Sequence, residues 1–468
     1  MAKTAAATAL DIAEISFSDL TLLLSPETTD DDRRRRVLAT VGTELGRGGS
    51  GLLAIADVPR AGALRRRLLP LARRLALMDH PTRALLLKKH GLGSDVPLKK
   101  LDRSVSSFAQ LLKHSGNLHL LQTMKGNESI SNEFGCQHQA QAVDGFEELK
   151  SDDIDNLGEL DKELGLYMME LGILVARACD IVIGGGQLEQ SIADFGTAKA
   201  RLIHYHSEFD NIVIKGTSSK RKGLVDKATA EPSQSCSQSS VSRSTSCIKS
   251  DDKPNVNEKI ENDSKDIVVQ DQGGTVSLSN LWQEWHYDYG IFTVLTAPLF
   301  LRASMGEECL MSKECHPPDG HTHLQLCNRR KIFSVRCSPD SFIVQVGEAA
   351  DILSGGKLRS TLHAVSRPLS YTDISRETFV VFLQPSWDKT LTYSVYSSDA
   401  EDESNDAKEL PVSSDGFAKS CHEDAFMQEV LKKIPPLSSR LKDGMTFAEF
   451  SRQTTKQYYG GSGIQQNN

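Results

Sequence analysis

The sequence predicts a mainly β fold, a sandwich or a jelly roll, with flanking α-helices. Four segments between residues 281 and 387 are short, rich in β-branched and aromatic residues, and separated by Gly, Pro, Asp and Ser. They read IFTVLTAPLF, KIFSVRC, SFIVQVG and TFVVFLQP. Several short strands at such spacing are typical of a two-sheet β domain, so we expect the block from Leu281 to Trp387 to be all β.

Helical patterns precede this block. RRRRVLATVGTEL follows threonines and acidic residues that suit a helix N-terminus, and it stops at GRGGSG, which we interpret as a turn before the strand GLLAIADVP. The next segment predicts a helix whose arginines face solvent, because its leucines repeat at spacings of four and three residues: Leu64, Leu68, Leu71 and Leu75. A long helix is predicted over 157–183, where a similar repeat ends at Gly184.

Composition divides the chain further. Residues 208–277 are rich in Ser, Lys and Asp and nearly free of aromatics, so they are expected to form a disordered insertion. The predicted organisation is a helix and strand region at 1–150, the long helix and a first core strand at 151–207, this insertion, a β core at 278–390, an acidic linker at 391–424 and a C-terminal docking segment at 425–468.

Charge and composition exclude some classes of function. The chain has 468 residues and a net charge of −8, which argues against nucleic acid as its main partner. No apolar run approaches the roughly 20 residues that a membrane span requires. The first residues resemble neither a secretory signal nor a transit peptide. Nine scattered cysteines favour a reducing compartment, the cytoplasm or the nucleus, and the polar insertion could bind protein partners.

The stretch WHYDYG raises the question of a metal site. His286 and Asp288 are two residues apart in a β-rich segment, and in an extended strand such side chains point the same way. The pair alone is more often two solvated polar residues. His363, in KLRSTLHAVSRP, is the candidate for a third ligand from another strand. Two histidines and one carboxylate form the facial triad that holds non-haem Fe(II) and leaves positions open for a co-substrate and O₂.

A co-substrate with two carboxylates would need a cation for the carboxylate that does not bind the metal. Arg376 supplies a guanidinium, and Thr378 lies two positions on, on the same strand face. A guanidinium matches a carboxylate in two-point geometry, and the hydroxyl can add a hydrogen bond. We expect the 13 residues after His363 to form a loop that returns to the neighbouring strand.

In this order, the segments WHYDYGIFTVL, IVQVGEAADILSGGKLRSTLHAV and SRETFVVFLQP resemble the plant-type 2-oxoglutarate and Fe(II)-dependent dioxygenases, which include relatives of isopenicillin N synthase. The resemblance implies a double-stranded β-helix jelly roll backed by the long helix. It implies that His286, Asp288 and His363 bind Fe(II) and that Arg376 and Thr378 hold 2-oxoglutarate, with Tyr205 beside its carboxylate. The chain departs from the family in the insertion before His286 and in a longer segment between Asp288 and His363.

The implied activity is oxidation of a small organic substrate by O₂, with release of succinate and CO₂; hydroxylation is the default, and desaturation or demethylation are alternatives. The sequence names no substrate class. Two other functions stay open: a scaffold or 2-oxoglutarate-binding protein without catalysis, and an iron oxidase independent of 2-oxoglutarate. A Cys/His-rich segment could hold zinc but matches no common zinc-finger spacing, so incidental residues in a surface loop are the favoured interpretation: Cys309, Cys315, His316, His321, His323 and Cys327.

Overall fold

The computed structural model describes residues 7–24, 31–94, 98, 103–114, 118, 121, 151–185, 187–216, 280–303, 312–392, 426 and 428–459. Its main strands are β1 (Thr8–Asp11), β2 (Glu14–Ser16), β3 (Leu52–Ala56), β4 (Val105–Lys113), β5 (Thr197–Tyr205), β6 (Leu281–His286), β7 (Phe292–Thr296), β8 (Leu299–Ala303), β9 (Ser312–Cys315), β10 (Leu324–Asn328), β11 (Lys331–Arg336), β12 (Phe342–Val346), β13 (Leu362–Ser366) and β14 (Ile374–Leu383). The short strands β15 (Thr390–Leu391) and β16 (Met445–Thr446) pair with each other.

The helices flank these strands. They are α1 (Phe17–Leu20), α2 (Asp31–Glu44), α3 (Ala61–Leu77), α4 (His80–Lys89), α5 (Ser151–Asp155), α6 (Leu157–Ile183), α7 (Gln187–Phe195), α8 (208–216), α9 (Glu348–Leu353), α10 (428–433), α11 (Leu437–Arg440) and α12 (Phe447–Tyr459), with 3-10 turns at Thr21–Leu24 and Pro318–Gly320. None of the helices in this part of the chain combines the length and apolarity that a bilayer crossing requires.

Two sheets face each other as a jelly roll. One has five strands in the order β1-β11-β10-β13-β6. The other has nine strands and follows the order β2-β3-β12-β7-β14-β5-β4, with β8 and β9 extending from β14. An apolar cluster between them takes side chains from both sheets, including Trp282, Leu295, Leu326 and Val380. The second face of the nine-stranded sheet packs on α3 and α6 in the largest core cluster.

The long helix α6 confirms the predicted helix over 157–183, and it ends at Gly184 with φ 74°. A helix this apolar must be covered on most sides. Gly172 permits the closest approach, because a Cβ there would lie 2.3 Å from Leu383 Cδ1 on β14. The helix therefore lies directly behind the strand that carries Arg376 and Thr378.

Three expectations need correction. The block 281–387 is not all β, since α9 (Glu348–Leu353) lies within it. Residues 208–216 form a helix, although their composition places them in the expected disordered insertion; residues 217–277 lie outside the described residues. Arg65 and Arg73 of α3 are buried, because Arg65 donates to the carbonyls of Ala297 and Pro298, and Arg73 pairs with Asp210.

The C-terminal segment contacts the five-stranded sheet. Phe426, Val430 and Ile434 pack against Trp285 and Leu362 in a separate apolar cluster. Residues 393–424, most of the expected acidic linker, are outside the described part of the chain, while Leu391 belongs to β15. The clustered apolar contacts place α10 over the outer surface of the strands that carry the candidate metal ligands.

Candidate metal and co-substrate site

The structure brings the three predicted metal ligands together. One donor atom from each of His286, Asp288 and His363 lies within 4.8 Å of the others. His286 Nε2 is 3.7 Å from Asp288 Oδ1, and His363 Nε2 is 3.9 Å from Asp288 Oδ2. His286 and His363 are direct partners in the register of β6 and β13. Strands β6 and β13 and the loop after β6 therefore present three donors that could reach one ion.

Asp288 reaches this point differently from the prediction. Strand β6 ends at His286, and Asp288 lies in the loop that follows. Its backbone carbonyl accepts a hydrogen bond from the N–H of Glu348 at 2.8 Å, which fixes the loop against the start of α9. The shared orientation of His286 and Asp288 thus comes from a braced loop and not from strand alternation.

The backbone contacts of both imidazoles are similar, and those of His286 define its tautomer. His286 Nδ1 lies 2.7 Å from the carbonyl of Glu284, and His363 Nδ1 lies 3.0 Å from the carbonyl of Thr361. A carbonyl accepts only, so Nδ1 of His286 carries the proton and its Nε2 has a lone pair, which accepts from the Gln283 amide at 2.9 Å and would bind an ion in place of that hydrogen bond. Burial, together with neighbouring His363, lowers the pKa of His286 to about 4, so this imidazole is neutral at pH 7.

Two polar side chains hold the carboxylate of Asp288. Thr293 Oγ1 donates to Asp288 Oδ2 at 2.6 Å. Gln345 Nε2 donates to the same oxygen at 3.3 Å and lies 2.9 Å from His363 Nδ1. Neither Thr293 nor Gln345 was predicted from the sequence. One signal was available for Gln345, because a lone amide in the buried strand FIVQV must find polar partners.

The predicted co-substrate residues lie on the facing sheet, and Arg376 is not on the strand next to His363 as expected. Arg376 and Thr378 are on β14, whose neighbours are β5, β7 and β8. Arg376 pairs in register with Tyr205, and its guanidinium lies 5.0 Å from the centre of the tyrosine ring. Tyr205 Oη donates to Gln283, whose Nε2 is 2.9 Å from His286 Nε2. Gln283 therefore connects the arginine end of the site to the metal end.

Arg376 is a buried cation whose charge is not balanced nearby. It is 1% exposed, and its Nε donates to the carbonyl of Thr322 at 3.0 Å. Among the described residues no carboxylate forms an ion pair with it. Burial lowers the pKa of Arg376, as expected for a cation removed from water. A carboxylate ligand would supply the missing countercharge.

A second His/Asp group has the opposite hydrogen-bond pattern. Asp319, His321 and His323 also bring donor atoms within 4.8 Å of one another. However, the Nδ1 of His321 accepts the backbone N–H of His323, and the Nε2 of His323 donates to the carbonyl of Pro318. These bonds engage the imidazole lone pair of His321 and the Nε2 proton of His323. Cys309, another member of the Cys/His-rich segment, lies outside the described residues.

Comparisons with known proteins agree with this site. The family profile described as the 2OG-Fe(II) oxygenase superfamily matches residues 279–385, which span β6 to β14. No curated protein matched the chain. The donor chemistry fits Fe(II), since two imidazoles and one carboxylate converge and leave part of the coordination sphere to other ligands.

Solved structures with a similar course of the chain include oxygenases with bound 2-oxoglutarate. A full-length Neurospora crassa protein in complex with alpha-KG and 5-formyluracil is 14% identical, with 83% of this chain and 90% of that chain covered and a TM-score of 0.42. JOX2 with 2OG, Fe and JA is 15% identical, with coverages of 82% and 78% and a TM-score of 0.41.

The Arabidopsis thaliana dioxygenase for auxin oxidation 1, bound to 2-oxoglutarate, is 13% identical, with coverages of 81% and 94% and a TM-score of 0.39. At these scores the likenesses carry no argument about substrate, and the assignment depends on the matched segment and its jelly roll. Residues 279–385 match the 2OG-Fe(II) oxygenase superfamily, and this matched domain supports a dioxygenase, an oxidoreductase that uses Fe(II), 2-oxoglutarate and O₂.

Proposed function

We propose that this dioxygenase hydroxylates a small organic substrate at a metal held by His286, Asp288 and His363. The observation that carries the proposal is the convergence of one donor atom from each of these three residues, all within 4.8 Å of one another. In the net reaction, substrate C–H, O₂ and 2-oxoglutarate give substrate C–OH, succinate and CO₂. Iron bound at this site would supply the activation of O₂ that accompanies decarboxylation of the co-substrate.

The protein's own residues would orient the co-substrate. Arg376 would bind its distal carboxylate by two parallel hydrogen bonds, and Thr378, two residues along the same strand, would add a third. Tyr205 borders the guanidinium and would limit where that carboxylate can lie. Support comes from the burial of Arg376, because a buried cation that pairs with no carboxylate among the described residues is costly until a carboxylate ligand arrives.

The walls of the jelly roll would keep water from the reacting atoms. Ile203, Leu295 and Val380 point between the sheets and keep 6–7% exposure, whereas their neighbours on the other face, Leu202 and Val294, are at 0%. The space between the sheets is therefore apolar but not completely filled. Such a lining excludes solvent while leaving room for small molecules.

The test is an anaerobic titration of the metal-free protein with Fe(II) and 2-oxoglutarate, followed by the visible metal-to-ligand charge-transfer band of the chelate. We expect the band in the unchanged protein, its loss in Asp288→Asn, and a strongly raised requirement for 2-oxoglutarate in Arg376→Gln. Asp319→Asn is the matched control and should keep the band, because Asp319 belongs to the second His/Asp group. Binding of Fe(II) without any band would refute the proposed 2-oxoglutarate site and favour an iron oxidase that works without it.

We also propose that the protein works in a reducing compartment, the cytoplasm or the nucleus. Four cysteines in the described part of the chain are free thiols: Cys179, Cys315, Cys327 and Cys337. Burial raises the pKa of the Cys179 thiol, which keeps that thiol protonated and unreactive. Thiol titration of the protein purified without reductant, before and after unfolding, tests this; disulfides among these four would contradict it.

A further inference from the structure

The inner face of the nine-stranded sheet carries basic residues at two levels, that is, at two different positions along the direction of its strands. Alternate residues of a strand share a face, so Lys199 and Arg201 of β5 point to the same side as Tyr205. Tyr205 belongs to the apolar cluster between the sheets, which identifies that side as the interior. Arg376 marks one level, beside Tyr205, and the pair Lys199 and Arg201 marks the other.

Strand register places the second level beside the candidate metal centre. Lys199 pairs with Phe382 of β14, and Phe382 pairs with Thr293 of β7, whose hydroxyl donates to Asp288. Neighbouring strands are about 4.8 Å apart, so the backbone of Lys199 lies roughly 10 Å from that of Thr293. This is the span of a small organic molecule that reaches from the basic residues to the metal ligands.

The second level is distinct from the site for 2-oxoglutarate. Arg201 pairs with Val380, four residues along β14 from Arg376, and four residues of strand cover roughly 13 Å. Arg376 is buried, whereas Arg201 is half-buried and therefore reaches the opening of the jelly roll. One dicarboxylate chelated to the metal and bound by Arg376 would not also extend to Arg201.

The surroundings of Arg201 are apolar and aromatic. Its guanidinium lies over the ring of Phe382, 4.8 Å from the ring centre. Leu111 of β4 pairs with Lys199, shares its face and is 61% exposed. Stacking on a ring restricts the guanidinium plane and points its N–H edge in a defined direction. A carboxylate with an apolar body matches both features of this surface.

We propose that Arg201, assisted by Lys199, binds the carboxylate of the substrate, and that the substrate is an organic acid with an apolar body packed on Phe382 and Leu111. The proposal rests on the proposed function, because it assumes that oxidation occurs at the metal held beside Asp288. It assigns the chemical class of the substrate, which the family match leaves open. Arg201 would act as a specificity residue that places the apolar carbon chain against the metal ligands.

The experiment uses the full chain loaded with Fe(II) and 2-oxoglutarate. A set of arylacetic and medium-chain alkanoic acids is compared with the primary amides of the same acids, and succinate formation above the substrate-free rate is measured. The expected result is that acids stimulate the reaction and their amides do so at least about tenfold less well, since a site built for a carboxylate rejects a group that cannot satisfy it. Equal stimulation by amides, or no stimulation by any acid of the set, would overturn the proposal.

Variants then assign the effect to Arg201. Arg201→Gln should raise the KM for the stimulating acids at least about tenfold and remove the preference over amides, and Arg201→Lys should restore part of it. Arg302→Gln is the matched control, because Arg302 also lies over an aromatic ring, Tyr371, but is exposed and near the other end of β14. An acid response that survives Arg201→Gln unchanged would refute the assignment.

The charge-transfer band separates this proposal from the one on which it rests. If the unchanged protein shows no band, the proposed metal and co-substrate site fails. If the band is present in the unchanged protein and in Arg201→Gln, both bind the co-substrate in a folded site. The comparison of acids with amides then judges the substrate class alone.

Discussion

At the scale of single residues, Thr293 supports the carboxylate of Asp288 through the 2.6 Å hydrogen bond. Replacing it by the isosteric valine would keep the packing of β7 and remove this bond. We expect Thr293→Val to lower affinity for Fe(II) by about tenfold, the lower end of the effect of residues that orient metal ligands. Anaerobic calorimetry with Fe(II) measures it, and Thr40→Val, an exposed threonine on α2, serves as the control. Equal affinities in the two variants would contradict the role of Thr293.

His204 should make stability depend on pH. It is fully buried on the outer face of β5, with Nδ1 2.8 Å from Glu377 Oε2 and Nε2 3.5 Å from Asp210 Oδ2. Burial lowers the pKa of His204, but the two carboxylates outweigh this and raise it to about 9. The unfolded chain has the ordinary histidine pKa of about 6.5. The stabilisation that the protonated His204 gives the folded protein is therefore complete below about pH 6.5, and it is lost as the pH rises through about 9.

The measurement is urea unfolding at pH 6.5 and at pH 9.5. We expect the free energy of unfolding to fall by roughly 3 kcal/mol between these values in the unchanged protein. His204→Gln should be less stable at pH 6.5 and should lack most of this decrease. Burial lowers the pKa of His206 well below its usual value, so that neighbour stays neutral and does not contribute in this range. An identical pH dependence in the variant would contradict the prediction.

The residues that the sequence can predict are those with a strongly constrained chemistry. His286, Asp288, His363 and Arg376 stand out as candidates because metal and carboxylate binding allow few residue types, and the first three converge in the structure. The supporting residues depend on register between strands that are distant in sequence. Gln283, three residues before His286, shows this, because its partner Tyr205 lies on the facing sheet. No local pattern specifies such a contact.

At the scale of elements, the C-terminal segment is tied to the candidate metal site by a buried ion pair. Arg440 of α11 binds Glu348 of α9 in two-point geometry, at 2.7 and 2.5 Å. Tyr458 of α12 accepts the backbone N–H of Tyr287, the residue between His286 and Asp288. The C-terminal segment thus packs on the main body, as its aromatic residues suggest in the sequence. Its contact with Glu348 reaches the loop of Asp288, because the backbone N–H of Glu348 donates to the carbonyl of Asp288.

Arg440→Met should destabilise the protein by about 3–5 kcal/mol, because it leaves the carboxylate of Glu348 buried without its partner. The double variant Arg440→Met with Glu348→Leu should recover much of this loss, since both charges are then absent. Urea unfolding of the two variants measures the difference. Lys432→Ala removes an exposed ion pair and should change stability by less than about 1 kcal/mol. A double variant no more stable than the single one would count against the ion-pair explanation.

Helices are easier to predict than their buried charges. The leucine period locates α3 and α6 because one apolar stripe must face the core in any arrangement. The burial of Arg73 is not predictable from that stripe, because its partner Asp210 follows β5, far along the chain. A buried arginine is stabilised only by its partner, and the period of the helix does not contain that information.

At the scale of the molecule, the site joins the two sheets. His286 and His363 belong to the five-stranded sheet, whereas Arg376 and Thr378 belong to the nine-stranded one. A co-substrate bound to both the metal and the arginine would therefore bridge the sheets. Binding to the folded protein alone stabilises it in proportion to the logarithm of ligand excess.

We expect Fe(II) to raise the thermal midpoint and 2-oxoglutarate, at 100 times its Kd, to add about 3 kcal/mol more. Arg376→Gln should keep the increment due to the metal and lose most of that due to 2-oxoglutarate. Chelation of the metal should remove both increments, because 2-oxoglutarate would then lose its bond to the metal. Anaerobic thermal unfolding of the two proteins measures them, and a full 2-oxoglutarate increment in Arg376→Gln would contradict the bridging geometry.

The pairing of the first strands has a consequence for how the chain is made. β1 lies parallel to β11, with Thr8 opposite Phe333, and β2 lies parallel to β3 at the edge of the other sheet. Ribosomes add about 5–20 residues per second, so β1 waits on the order of tens of seconds before its partner strand exists. Contacts so distant in sequence also form slowly. During translation the early strands expose unpaired edges, and the yield of active enzyme should therefore depend on chaperones that bind such edges until β11 emerges.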